Sequence, residues 1–163
     1  MNAQRLLISG GLILAAIGMI YGLYYALFVE HQTLDQMGGS LANAFMAAAD
    51  RRIPQSDSAL ADYTKSKYVY VRQVDVHSHW IGLAILLIAL GASWGHVRFS
   101  SRTRLWVAIM LLAGSFAFPL GVLLQTTFHG PLPSAVAIAG SALVIVALAL
   151  SILGLSMKNR VEE

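Results

Sequence analysis

Apolar residues gather into four long runs, over residues 6–29, about 80–94, 105–127 and 134–157, separated by polar segments of unequal length. A helix needs roughly 20 apolar residues to cross a hydrocarbon core. Three runs meet that length directly. The second meets it only if its helix begins near Val76 or His77, which places His77 and His79 at a membrane boundary. The pattern predicts an all-α protein, a four-helix transmembrane bundle in one membrane domain over residues 1–163. Its spans are expected at about 6–29, 77–97, 104–127 and 134–157. The first run follows Arg5 in the manner of a secretory signal. Its apolar part is nevertheless too long for one, and no small-residue cleavage pattern follows it, so it is expected to be retained.

The segment over residues 30–76 is too long for a structureless connection. After Gly38 and Gly39, Leu41, Phe45 and Ala48 recur at helical spacing, predicting a short amphipathic helix that ends near Arg52. Pro54 marks a turn. From Ser56 to Ile81 there is neither proline nor glycine, and Leu60, Tyr63, Lys67, Val71 and Val74 share one helical face. This predicts a second helix continuing into span two, so that an extramembrane helical hairpin stands between the first two spans. The alternation in Tyr68 to Val74 is a competing strand signal.

Small residues form stripes on the spans: Gly11, Ala15, Gly18, Gly22 and Ala26 in the first, Gly91 and Gly95 in the second, Gly114, Ala117 and Gly121 in the third. Such faces let helices approach closely in lipid. Pro119 removes a backbone donor within the third span and is expected to kink it.

Composition agrees, at 57% hydrophobic and 12% charged residues, too little polar surface for a soluble globule of this size. Arg5, Arg98, Arg102, Arg104, Lys158 and Arg160 lie on one side of the predicted membrane, which puts both termini in the cytoplasm of a bacterial-type inner membrane. The outer segment carries five cations of its own, balanced by six acids. The basic excess is accounted for by topology, so nucleic acid is not an expected partner. Without cysteine there is no disulfide, no c-type haem attachment and no thiolate ligation.

The candidate chemistry lies in histidine. His31, His77, His79 and His129 fall at helix ends that the topology brings to the outer face, while His96 lies beside the inner arginines. Imidazole ligates metals through one nitrogen while a hydrogen bond orients the other. Asp75, one turn before His79, is the expected orienting group, and Gly82 one turn after it leaves room for a flat ring. His77 points about 200° away from His79, in line with Ala84 and Gly91, so both serve one metal only if the helix breaks between them. Gln125 and His129 share a face of the third span, and an amide inside a membrane must find a partner in the protein. His79 with His129 is the preferred axial pair for a b-type haem or other metal, with His31 and His77 in reserve. Glu30, His31 and Asp75 are candidates to accept a proton from a quinol.

This arrangement is similar, in architecture and histidine placement, to the four-helix membrane cytochromes b. That likeness implies haem held between histidines of neighbouring helices, and the expected function is electron transfer between a quinol pool and a partner in a respiratory complex. No functional residue is carried over from it. The alternatives are a cofactor-free accessory subunit, bound to other membrane subunits or to further copies of itself, in which the same aromatic and histidine side chains only anchor helix ends, and a small transporter. The spans hold no charged residue, which argues against a pump.

Overall fold

The computed structural model describes residues 2–128 and 130–157. Among them there is no strand, and five long helices follow one another: α1 (Ala3–Phe28), α2 (Glu30–Ala49), α3 (Ile53–Ser93), α4 (Ser101–Thr127) and α5 (Pro131–Ser156), with a 3₁₀ turn at Trp94–His96. α1, the membrane part of α3, α4 and α5 are each long and apolar enough to cross a bilayer. This is a multi-pass membrane protein whose exposed faces of Leu12, Met19, Leu23, Ile138, Ile145 and Ile152 suit contact with lipid.

The segment Tyr68 to Val74 is helical, and α3 runs unbroken for 41 residues from the hairpin tip through the second span. β-Branched residues in alternation do not outweigh a segment without glycine or proline that continues into a membrane helix. α2 departs from the expectation in two ways. It begins at Glu30 and passes straight through Gly38 and Gly39, with only Val29 (φ −123°, ψ −44°) separating it from α1. Its packed face is also not the apolar one: Ala44 and Ala47 are buried, whereas Phe45 is 69% exposed. The reason is close approach, because Ser56 Oγ reaches across to the Ala44 carbonyl at 3.0 Å. On α3 the turned-in residue is Ser56 rather than Leu60, and Val71 and Val74 remain exposed. The connection at the tip places Arg51 in the left-handed region, with φ 59°.

Within the membrane α4 and α5 form one closely packed pair, α1 and α3 another, and α4 joins the pairs by contacting both α1 and α3. The glycines of the small-residue stripes form the contact surfaces, whereas Ala26 at the hairpin-side end of α1 is exposed. A Cβ on Gly11 would lie 2.9 Å from the Ala84 carbonyl, and one on Gly18 would lie 3.1 Å from Trp80 Cβ. On the other pair, Gly114 faces the Gly140 carbonyl and Gly121 faces the backbone of Ala137. α4 continues through the buried Pro119. Gly95 departs from its expected stripe, since it lies in the 3₁₀ turn with open space beside it. Leu7, Leu87, Leu111, Trp94 and Val107 fill the centre where the two pairs meet.

Candidate functional site

The hairpin-side boundary of the second span is where α3 leaves the bundle, and it carries His77 and His79 within one helical turn. No break separates them. His77 turns toward α1, where its Nδ1 lies 2.9 Å from the Gly18 carbonyl. Its ring occupies the hollow left by the missing side chain of Gly22, which any Cβ there would overlap. His79 turns toward α4, where its ring meets that of Phe118 edge to face, with centroids 4.7 Å apart. His79 Nδ1 lies 2.6 Å from the carbonyl of Asp75, one turn earlier on the same helix. A carbonyl only accepts, so each imidazole donates from Nδ1, and in the neutral ring the lone pair then lies on Nε2.

Asp75 therefore orients His79 as its position suggests, but through its backbone carbonyl. His77 lines up with Ala84 and Gly91 on the seam facing α1, since Gly91 lies against Leu7 and Ile8. The two histidines thus serve different seams of the bundle.

His31 lies in the first turn of α2, turned away from the other helices. Its side chain is 88% exposed and its Nε2 stands 3.5 Å from Asp35 Oδ2. Glu30 is half-buried at the start of the same helix, where the helix dipole favours a carboxylate. Gln125 lines a cleft of about 290 Å³ at the hairpin-side end of α4, together with Tyr68, Phe128, Gly130 and Ser134. Arg72 stacks on the Tyr68 ring, 5.2 Å from its centroid. His129 lies outside the described residues. His96 is exposed at the opposite boundary, its Nδ1 3.3 Å from the Ser93 carbonyl. Among the described residues, no three histidine or carboxylate side chains converge as a metal cluster would require.

Sequence reasoning did not single out Phe118 as the neighbour of His79, nor Gly22 as the socket for His77. The second carries a signal in hindsight: a glycine stripe on one span and a histidine on the small-residue face of the next complement each other in volume. The first carries none, because which α4 residue meets α3 depends on how far α4 is rotated by its packing on α5. Aromatic side chains complete the hairpin-side boundary, with Tyr21 edge-on to Trp80 at 5.5 Å and Tyr25 6.4 Å from Tyr70. Compared with protein-family models, curated proteins and solved structures, the chain matches none.

Proposed function

We propose that this chain is a small integral-membrane subunit that joins a larger membrane assembly through its outer hairpin. One observation carries the reading. Phe45, Met46 and Ile53, all more than half exposed, lie within about two helical turns of a hairpin tip that stands outside the spans. Large apolar side chains gathered in water mark a contact surface. In this reading the membrane is a bacterial-type inner membrane with both termini cytoplasmic, supported by Arg5, Arg98, Arg102 and Arg104 at the opposite boundary. Blue-native electrophoresis of gently solubilised membranes tests it. The wild-type chain should migrate in a complex larger than its own oligomer, and Phe45→Asp with Ile53→Asp should release it. Unchanged migration of the double variant would refute the docking role.

A second reading is favoured by His79. An imidazole whose Nδ1–H is fixed on a backbone carbonyl while Nε2 stays free has the form of a metal-ligating histidine, and no atom lies within 4 Å of a Cβ built on Gly82, one turn away. Here His79 and His129 would hold a b-type haem, which would supply one-electron redox chemistry. Glu30, His31 or Asp75 would accept a proton released by a quinol at the hairpin-side face. The visible spectrum of the purified protein separates the two readings. A Soret band and a sharp reduced α-band, both lost in His79→Ala, support haem; a colourless protein in an intact complex supports the first reading alone.

A further inference from the structure

At the boundary opposite the hairpin, the first turns of α1 and α4 meet around an open cavity of about 460 Å³. It is lined by Asn2, Ala3, Ser101, Arg102, Arg104 and Leu105. Four sources of positive potential converge there, two guanidinium groups and the amino ends of two long helices. Neither helix carries an acid in its first turn. A helix start normally favours anions and disfavours arginine, so cations there are a cost that a bound anion removes. The chain provides no nearby counter-charge among its described residues. Glu30, Asp35, Asp50, Asp57, Asp62 and Asp75 all belong to the hairpin side, and the only two ion pairs found among those residues, His31 with Asp35 and Arg52 with Asp50, lie there too.

A second observation extends this cavity into the membrane. Along the same α1–α4 seam runs a groove of about 410 Å³ with no polar lining, formed by Leu6, Gly10, Ile13, Ile109, Leu112 and Phe116, among others. From Arg104 to Phe116 the seam descends about 18 Å at 1.5 Å per residue, close to half the ~30 Å hydrocarbon core. A charged cavity at headgroup level above an apolar groove one leaflet deep has the amphipathic form of a phospholipid. The usual excess of arginine at a cytoplasmic face explains neither the cavity nor the groove.

We propose that the α1–α4 seam is a binding site for one anionic phospholipid, its phosphate held by Arg102, Arg104 and the two helix starts and one acyl chain lying between Leu6 and Phe116. Free phosphate shares the headgroup chemistry and lacks the chain. Phosphatidylcholine shares the chain and the phosphate but adds a quaternary amine, which cancels its net charge and is repelled by the arginines.

Native mass spectrometry of the delipidated full-length protein in non-ionic detergent tests this, with phosphatidylglycerol, phosphatidylcholine of the same acyl chains, and inorganic phosphate titrated separately. Phosphatidylglycerol should bind at one site and more tightly than phosphatidylcholine, and inorganic phosphate should not compete at equal concentration. At about 1 kcal/mol per arginine near a membrane surface, Arg102→Gln with Arg104→Gln should weaken phosphatidylglycerol about tenfold to thirtyfold. The same double variant should weaken phosphatidylcholine by a smaller factor, because its quaternary amine already offsets the charge of its phosphate. Ala113→Phe, which fills the groove from its exposed edge, should weaken both lipids, and circular dichroism of each variant should confirm that the helices are retained. Equal affinity for the two lipids, or phosphatidylglycerol binding indifferent to both variants, overturns the site. Full competition by inorganic phosphate reduces it to a bare anion patch and overturns the acyl groove. Binding that appears only in Glu162→Gln with Glu163→Gln assigns the cavity to the chain's own carboxylates and overturns the lipid.

Discussion

Replacing Gly121 with alanine adds one methyl group at the tightest point between α4 and α5. A Cβ there would lie 2.7 Å from Ala137 Cα and 2.9 Å from its Cβ, and on the facing helix a Cβ on Gly140 would lie 2.8 Å from Phe118 Cα. Two of these neighbours are backbone, which cannot rotate aside as a side chain can, so the helices must separate. Overpacking of this kind costs about 1–3 kcal/mol, and the obstruction by backbone places Gly121→Ala toward the upper end. Helix propensity returns about 1 kcal/mol on changing glycine to alanine, leaving a net loss of about 1–2 kcal/mol. For a chain of this length that corresponds to a fall in the melting midpoint of roughly 2–8 °C. Gly39→Ala provides the control of opposite sign: Gly39 is exposed inside α2 with nothing within 4 Å of the added carbon. Only the propensity gain remains there, about 0.5–1 kcal/mol. Thermal unfolding of detergent-solubilised protein, followed by circular dichroism, measures both. A midpoint for Gly121→Ala equal to or above wild type would refute the account of α4–α5 as backbone-to-backbone packing.

Three further outcomes follow from the same contacts. Ser56→Ala removes the hydroxyl that donates to the Ala44 carbonyl and should lower hairpin stability by about 0.5–1.5 kcal/mol, read as faster amide exchange in α2 with the spans unaffected. His77→Ala removes both the bond to the Gly18 carbonyl and the ring seated against Gly22. A membrane interhelical hydrogen bond contributes about 0.6 kcal/mol and the vacated volume more, so the α1–α3 seam should loosen by about 1–3 kcal/mol in a steric-trapping measurement. His31→Ala, at an exposed position, should change the melting midpoint by no more than about 0.5 kcal/mol equivalent; a larger fall would mean that His31 has a partner in the folded protein.

The four spans and the hairpin are legible in the chain because both rest on coarse quantities, namely run length and the spacing of glycine and proline. The faces of the hairpin helices are not. Leu41, Phe45 and Leu60 look like the core by hydrophobicity, yet Ala44, Ala47 and Ser56 form it, because two helices in close antiparallel contact select for small volume. Gly38 and Gly39 read as a break and are helical, since an exposed glycine weakens a helix by only about 1 kcal/mol and the neighbouring α3 holds α2 along its length. At the candidate site the sequence locates His77 and His79 in depth and separates them in direction. What each one faces depends on α1 and α4, and thus on packing distant in sequence. The side-chain chemistry of Asp75 suggested a carboxylate partner for His79, whereas an i−4 backbone carbonyl, present at every helical position, takes that role.

The uninterrupted course of α3 also has a mechanical consequence. At 1.5 Å per residue its 41 residues form a rod of about 60 Å, with the tip in water and the base at the arginine-bearing boundary. α1 meets the hairpin only at its base, across the bend at Val29 and through Tyr25 against Tyr70. A partner that tilts the hairpin therefore levers α3 against α1 and α4, and the first joints to feel the torque are the His77 socket and the His79–Phe118 contact.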